Sequence, residues 1–263
     1  MTATHPIQLL WVSGDLPWYA RAAIESFARR GHEVVLYTYE PPRDAPPGCR
    51  LADAGEILHA DNIFGYKSGI VKGYLSGFAN WFRYELLLRK GGWWADADMI
   101  CLAPFDPGPA DHLFASVWEP DAPRYVNNNV IFVGRPGSEL MAACARRCRE
   151  RGADIRHAET GPVLLHQMVQ QFGMGGLVTP PSAYNPVQYR DIDLFFRSPS
   201  RVRLVAASRV LRGLRPVRLG RRSKGLHLYS ALLPKDAPQL MRERPDCLLS
   251  RVVRRHAPGS LPA

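Results

Sequence analysis

Residues 78–106, FANWFRYELLLRKGGWWADADMICLAPFD, constrain what this chain can fold into more than any other stretch. Phe78, Trp81, Phe82 and Leu86 recur at three- and four-residue steps among good helix formers, which predicts a helix with one buried stripe. Lys90 gives it a basic last turn, and Gly91 and Gly92, free to take positive φ, stop it. The chain then restarts in β. Read as one strand from Trp93 to Leu102, the period of two puts Trp94, Asp96, Asp98 and Ile100 on a single face. Two carboxylates on an otherwise apolar strand are costly to bury unless something cationic meets them. A hard divalent cation with oxygen ligands is the simplest candidate.

The N-terminus supplies the frame for that unit. Residues 7–12 form a short apolar run, Pro17 suits a first helical turn, and Trp18, Ala22, Ile24 and Phe27 line a buried side. Gly31 stops this helix and residues 32–39 read as a second strand. Strand–helix–strand opens a parallel α/β sheet.

Beyond it, residues 41–48 are a proline-rich loop, and 53–76 read as irregular with a helix near Ile70. Lys67 and Lys72 face either phosphate or solvent. Residues 104–111 form a turn-rich connection and 113–118 a further strand. Asn127, Asn128 and Asn129 stand before an apolar strand at 130–133; their amides can read sugar hydroxyls or cap a turn. Residues 138–151 are helical. Thr160 is a fair N-cap, with Pro162 near the first position, for a helix running to about Gln171. Residues 173–186 are loop, and Tyr184 and Tyr189 are candidates for stacking on an acceptor.

Length and composition bound the rest. At 263 residues the chain makes one sizeable α/β domain or two small ones. No run approaches the ~20 apolar residues of a membrane span. MTATHPIQLLWVSGD lacks both a basic n-region and an adequate apolar h-region, so no secretory signal is expected. Five cysteines without a CxxC pair fit reduced thiols in a cytoplasmic protein. Cys144 and Cys148, four apart, lack the second Cys/His pair of a zinc site. Charge is divided unevenly. Residues 1–196 hold 18 Lys/Arg against 21 Asp/Glu, while residues 197–263 hold 16 against 3. That predicts a near-neutral core over 1–196 and a basic C-terminal segment over 197–263 that faces an anionic partner. Ten of those basic residues, with no acidic one, fall within 197–224.

Arg83-Tyr84, Gly91-Gly92, Asp96-Ala97-Asp98 and Pro104, in this order, resemble the DXD region of bacterial glycosyltransferases of the capsule and lipopolysaccharide type. That family also takes in yeast initiating mannosyltransferases and clostridial glucosylating toxins. IQLLWVSG, SFARRGHEVVLYTYE, LADAGEIL and the TGP at 160–162 are similar to it as well, so the resemblance covers most of residues 5–170 and the His227 segment. It implies a GT-A-like α/β fold: a single Rossmann-type nucleotide-sugar-binding domain with a mixed central sheet and flanking helices. It also implies transfer of a sugar, with retention, from a UDP or GDP sugar to a hydroxyl of a saccharide or lipid-linked acceptor. The setting would be synthesis of surface polysaccharide or glycoconjugate. Mn²⁺ or Mg²⁺ would be held by Asp98 and Asp96, the latter also meeting the ribose, and His227, alone in GLHLY, matches a late third ligand.

The same resemblance places Trp11, Ser13 and Tyr39 at the nucleotide, where ligands collect beyond the carboxyl ends of the strands, although each aromatic suits a core equally well. Asn80 and Arg83, three apart on one helix, would hold the donor sugar, with Glu159 and Thr160 beside it. Asn127 and Asn129 are further candidates for sugar hydroxyls. One departure touches specificity: the position of Asn80 is commonly Asp in the family. The basic segment implies peripheral association with the anionic inner face of the cytoplasmic membrane, and no nucleic-acid partner is expected. Two other classes fit less well. A DxD phosphatase of the haloacid dehalogenase type, with Asp96 as nucleophile, usually carries a threonine where this chain has Ile100. A noncatalytic basic module leaves the acidic strand unexplained.

Overall fold

The computed structural model describes residues 5–69, 72–211 and 219–261, apart from the side chain of Val210. The expected opening is present as β1 (Ile7–Leu10), α1 (Trp18–Ala28) and β2 (Val34–Thr38), followed by β3 (Cys49–Asp53). Then come α2 (Ser76–Lys90), β4 (Gly92–Ala95), β5 (Met99–Cys101), β6 (His112–Glu119) and β7 (Ala122–Val133). The second half holds α3 (Glu139–Arg151), α4 (Leu164–Gln171), α5 (Pro181–Tyr184), α6 (Pro199–Leu211), β8 (Gly225–His227), α7 (Ala237–Glu243) and α8 (Leu248–His256).

Six strands form one mixed sheet in the order β3-β2-β1-β4-β7-β6. The first four run parallel, and β7 and β6 are antiparallel to their neighbours. β1, β2 and β4 are buried along their whole length, as parallel strands covered on both faces must be. Adjacent tryptophans show why β4 sits centrally. Trp93 packs on one face with Phe27, Phe105 and Phe132, and Trp94 on the other with Phe82 and Leu86 of α2. The fold is thus the expected α/β architecture of a mixed central sheet with flanking helices. The described residues after 197 pack against it. β8 pairs with β5 in a second sheet, and the α8 cluster includes Ala22 of α1 and Ile100 of β5.

Glycine is required at the turn from α2 into β4. Gly91 and Gly92 take φ of 63° and 85°. A Cβ on Gly91 would meet the Val133 carbonyl oxygen at 3.0 Å, and one on Gly92 would meet the Gln8 side chain at 2.9 Å.

Several local expectations need correction. Trp93–Leu102 is not one strand: β4 ends at Ala95, and β5 belongs to the second sheet. Asp96 donates its N–H to the Asn129 carbonyl (2.9 Å), and its own carbonyl accepts from Met99 N–H (3.0 Å). A turn, not strand alternation, therefore places the two aspartates. The three asparagines lie inside β7. Phe114 pairs with Ile131 and Ala115 with Asn127, so residues 128–130 are extra opposite β6 and form a bulge. Thr160 is not an N-cap; it sits within a π-helical turn, Glu159–Val163, entered through Ala158 at φ 66°. Tyr184 packs in the core against Phe105 (ring centroids 4.9 Å) instead of presenting a stacking face. Within 53–76, Ala54–Glu56 and Ala60–Asn62 form short 3-10 turns, and the helix expected near Ile70 falls on residues outside the described ones. All five cysteines are free, and no helix among the described residues is long and apolar enough to cross a membrane.

Candidate metal centre and active site

The site forms where β4 leaves the main sheet. The parallel direction of β1, β2 and β4 puts Trp11, Ser13, Tyr39 and Asp96 just beyond their carboxyl ends. Pairing of Met99 with His227 then brings the late segment against Asp98. His227 Nε2 lies 3.1 Å from Asp98 Oδ1, and Ser230 N–H donates to Asp98 Oδ2 at 2.8 Å. One ligand atom from each of Asp96, Asp98 and His227 falls within 4.8 Å of the others.

Each member is held by its own supports. Asp96 Oδ1 accepts from Arg83 Nη1 (2.9 Å) and Trp94 Nε1 (2.8 Å), and its side chain keeps 25% exposure. Arg83 is buried, lies over the Trp94 ring at 4.7 Å, and also donates to the Asn128 and Ala79 carbonyls. The α2 face that carries Arg83 carries Asn80 one turn earlier. Asn80 Oδ1 accepts from Asn128 Nδ2 (2.8 Å), and its Nδ2 lies 3.4 Å from Thr160 Oγ1. Gly161 allows this approach, since a Cβ there would sit 2.8 Å from Asn80 Nδ2. Tyr229, next to the histidine strand, has left-handed backbone (φ 52°), a strained state for a bulky residue. Its ring against His227 (4.0 Å) and its hydroxyl bond to Asn185 Oδ1 (3.2 Å) fix it there.

Burial pushes the Asp98 carboxyl up, but His227 and Ser230 overcome it and hold the pKa at about 2. Burial pushes the His227 imidazole down, and Asp98 and then Asp96 more than reverse that. Burial raises Asp96 above the ordinary carboxylate range despite Arg83 and His227. One imidazole thus balances two carboxylates, and its Nδ1, buried, has no hydrogen-bond partner among the described residues. Two carboxylates, an imidazole and that orphaned nitrogen fit a divalent cation.

Other candidates fall at varied distances from this centre. Trp11 donates its indole N–H to the Gly14 carbonyl (3.2 Å), Ser13 is exposed, and Tyr39 donates to the Leu58 carbonyl (2.7 Å). Asn127 accepts from Asn129 N–H, and Asn129 is fully buried, exchanging amide bonds with Asn185. Glu159 is committed to Arg151 (2.7 Å) and Arg156 N–H (2.9 Å), while its neighbour Thr160 reaches Asn80. Sequence reasoning named Asn128 only as one of three amides, without its link to Asn80, and passed over Trp94, Asn185, Tyr229 and Ser230 as site residues. Asn128 had a legible signal: it points opposite to Asn127 and Asn129 in any extended reading. Ser230 acts through its backbone N–H and Tyr229 through a left-handed backbone, which a sequence does not display, while the side chains of Trp94 and Asn185 are brought to the site by contacts outside their own segments.

No family model and no curated protein matches the chain. Solved structures with a similar course include the PaToxG glycosyltransferase (10% identity, TM-score 0.48, covering 95% of this chain and 86% of that one). A galactosyltransferase, LgtC, in complex with donor and acceptor sugar analogues is another (11%, 0.47, 97% and 96%). A third is the apo-form glycosyltransferase GlyE of Streptococcus pneumoniae (11%, 0.42, 98% and 64%). Scores below 0.5 describe a shared backbone course and carry neither substrate nor mechanism to this chain.

Proposed function

We propose that this chain is a GT-A-like, metal-dependent glycosyltransferase that moves a sugar from a nucleoside diphosphate to an acceptor hydroxyl. The observation that carries the reading is the Asp96–Asp98–His227 cluster beyond the carboxyl end of β4, in which His227 Nε2 meets Asp98 and the buried Nδ1 has no hydrogen-bond partner among the described residues. The chemistry a bound Mn²⁺ or Mg²⁺ supplies is Lewis-acid neutralisation of the leaving diphosphate. Asp98, in the turn before β5, and His227 of β8 would hold the ion. Asp96, pinned by Arg83 and Trp94, presents its remaining edge to ion and ribose. Trp11, Ser13 and Tyr39 line the way to the nucleotide. Asn80, Arg83 and Thr160 form the wall for the donor sugar, with Asn127 as a further contact. The resemblance in the DXD region supports retention of configuration, a UDP or GDP donor, a saccharide or lipid-linked acceptor, and a place in surface polysaccharide or glycoconjugate synthesis. Incubation with a panel of UDP- and GDP-sugars and Mn²⁺ is expected to release nucleotide from one or a few donors, and EDTA to stop it. Release undiminished in EDTA would remove the metal from this reading, and no release from any donor would remove the transferase.

Peripheral docking on an anionic bilayer completes the proposal. On α6, Leu204 and Leu211 are 71% and 87% exposed, one face apart by two turns, with Arg201 and Arg203 exposed beside them. Apolar side chains flanked by arginines suit insertion at a negatively charged headgroup layer, each cation near it adding about 1 kcal/mol. Part of the basic tract, residues 212–218, lies outside the described residues. Sedimentation with phosphatidylglycerol-containing vesicles is expected to pull the protein down at low salt and release it at high salt. Equal binding to neutral vesicles would overturn the electrostatic account.

A further inference from the structure

A cleft of about 710 Å³ opens on the far end of the small sheet, lined by Arg221, Arg251, Arg254 and Arg255, with Ser223, Leu102 and His256. It is separate from the metal centre. Asp98 and Leu102 flank β5 at opposite ends, and its three residues span about 10 Å. On the cleft side Leu102 and Ala103 N–H groups bond the Lys224 carbonyl (2.8 and 3.1 Å), which closes the sheet there.

The charge arrangement has no internal balance. Arg251, Arg254 and Arg255 occupy i, i+3 and i+4 positions of α8, where like charges repel, and Arg221 comes from the loop opposite. Among the described residues no carboxylate lines the cleft, and none of the four arginines has an ion-pair partner. Glu25 of α1, which packs on α8, spends its two oxygens on Gly259 N–H (3.0 Å) and Ser260 Oγ (2.7 Å). Behind them Arg30 donates to His256 Nδ1 at 2.9 Å, so the buried imidazole serves as an acceptor. Burial first, then Arg30, Arg255 and Arg29, push its pKa down to about 4, which reports the positive potential of this face. Planar guanidinium forks converging on one cleft match the oxygens of phosphate.

We propose that this cleft is a second, metal-independent anion site that takes a ligand carrying phosphate or diphosphate, on either a soluble molecule or a lipid headgroup. The probe is inorganic pyrophosphate, titrated calorimetrically into the full chain in EDTA, where the carboxylate cluster has no ion to offer it. One-site saturation is expected. The double variant Arg251→Gln, Arg255→Gln should raise the dissociation constant about tenfold or more, and Arg221→Gln, on a different element, should raise it too. Asp98→Asn and the α6 pair Arg201→Gln, Arg203→Gln should leave it within about threefold. Absence of saturation, or equal weakening by the α6 pair, would overturn the site in favour of diffuse surface charge. Given saturation, vesicles of phosphatidylcholine with phosphatidylglycerol decide the source. Loss of vesicle binding in the α8 double variant beyond that in the α6 pair assigns the cleft to a headgroup. Unchanged vesicle binding assigns it to a soluble phosphate ester. Because the test needs neither donor sugar nor metal, its failure says nothing against the transferase reading, nor its success for it.

Discussion

Asp98→Asn is expected to lower Mn²⁺-supported turnover at least about a hundredfold, since it removes the charge of a metal-holding carboxylate while nearly keeping its shape. The substitution also breaks an internal pair, and metal-free stability reports that separately. The Asp98 carboxyl is held at about 2 against an ordinary 3.8, a difference worth on the order of 2 kcal/mol at neutral pH. A depressed carboxylate stabilises above its unfolded value, and the contribution fades as pH falls from about 4 toward about 2. His227 is raised above its ordinary 6.5, so its share is present below that value and fades as pH climbs through the raised one. Both shifts describe one Asp98–His227 contact and count once. Metal-free protein should therefore gain most from the pair between about pH 4 and 6.5. Chemical denaturation in EDTA at pH 3, 5.5 and 8 is expected to show the stability difference between parent and Asp98→Asn largest at 5.5. Turnover within tenfold of the parent would discard Asp98 as a metal ligand. A difference that does not change with pH would discard the ion pair.

The helix–glycine–strand unit was legible because each part has a local cause. The apolar stripe of α2, the basic last turn, and two glycines where a Cβ finds no room all write themselves into composition. So did the strand–helix–strand opening, hence the direction of the sheet and the end at which a ligand gathers. The pairing of Asp96 with Asp98 was anticipated for the wrong reason. Alternation along one strand predicted a shared face, whereas the chain turns at these residues because Met99 finds its partner in β8, more than a hundred residues later. The same holds for the asparagines. A bulge set by register against β6 sends Asn128 toward Asn80 and buries Asn129 against Asn185, and register between distant strands leaves no local mark. His227 was placed by motif resemblance; a lone histidine in an apolar run has no periodic signal that separates ligand from core.

Arg83→Met should be the most destabilising single change at the site. Its guanidinium is 4% exposed and serves Asp96, the Asn128 carbonyl and the Ala79 carbonyl while stacked on Trp94. Methionine can refill the volume but strands a carboxylate and a buried carbonyl, and breaking such a buried pair costs about 3–5 kcal/mol. At this chain length that lowers the melting temperature by roughly 10 °C. Arg83→Lys keeps the charge yet cannot reach three acceptors in one plane, so it should recover only part of the loss. Asn80→Asp, one helical turn earlier, makes the contrast. Its oxygen still accepts from Asn128 Nδ2, and the Thr160 hydroxyl can turn from acceptor to donor, so the local bonds survive. Its effect should fall on which donor is used: the rate ratio between two sugars on the same nucleotide should shift several-fold while nucleotide affinity stays within about twofold, as expected where one hydrogen bond to a hydroxyl is remodelled at about 0.5–1.5 kcal/mol. If Arg83→Met melts within 2 °C of the parent, the three-acceptor account of Arg83 fails. If Asn80→Asp leaves the donor ratio where it was, Asn80 holds Asn128 and Thr160 in place and does not touch the sugar.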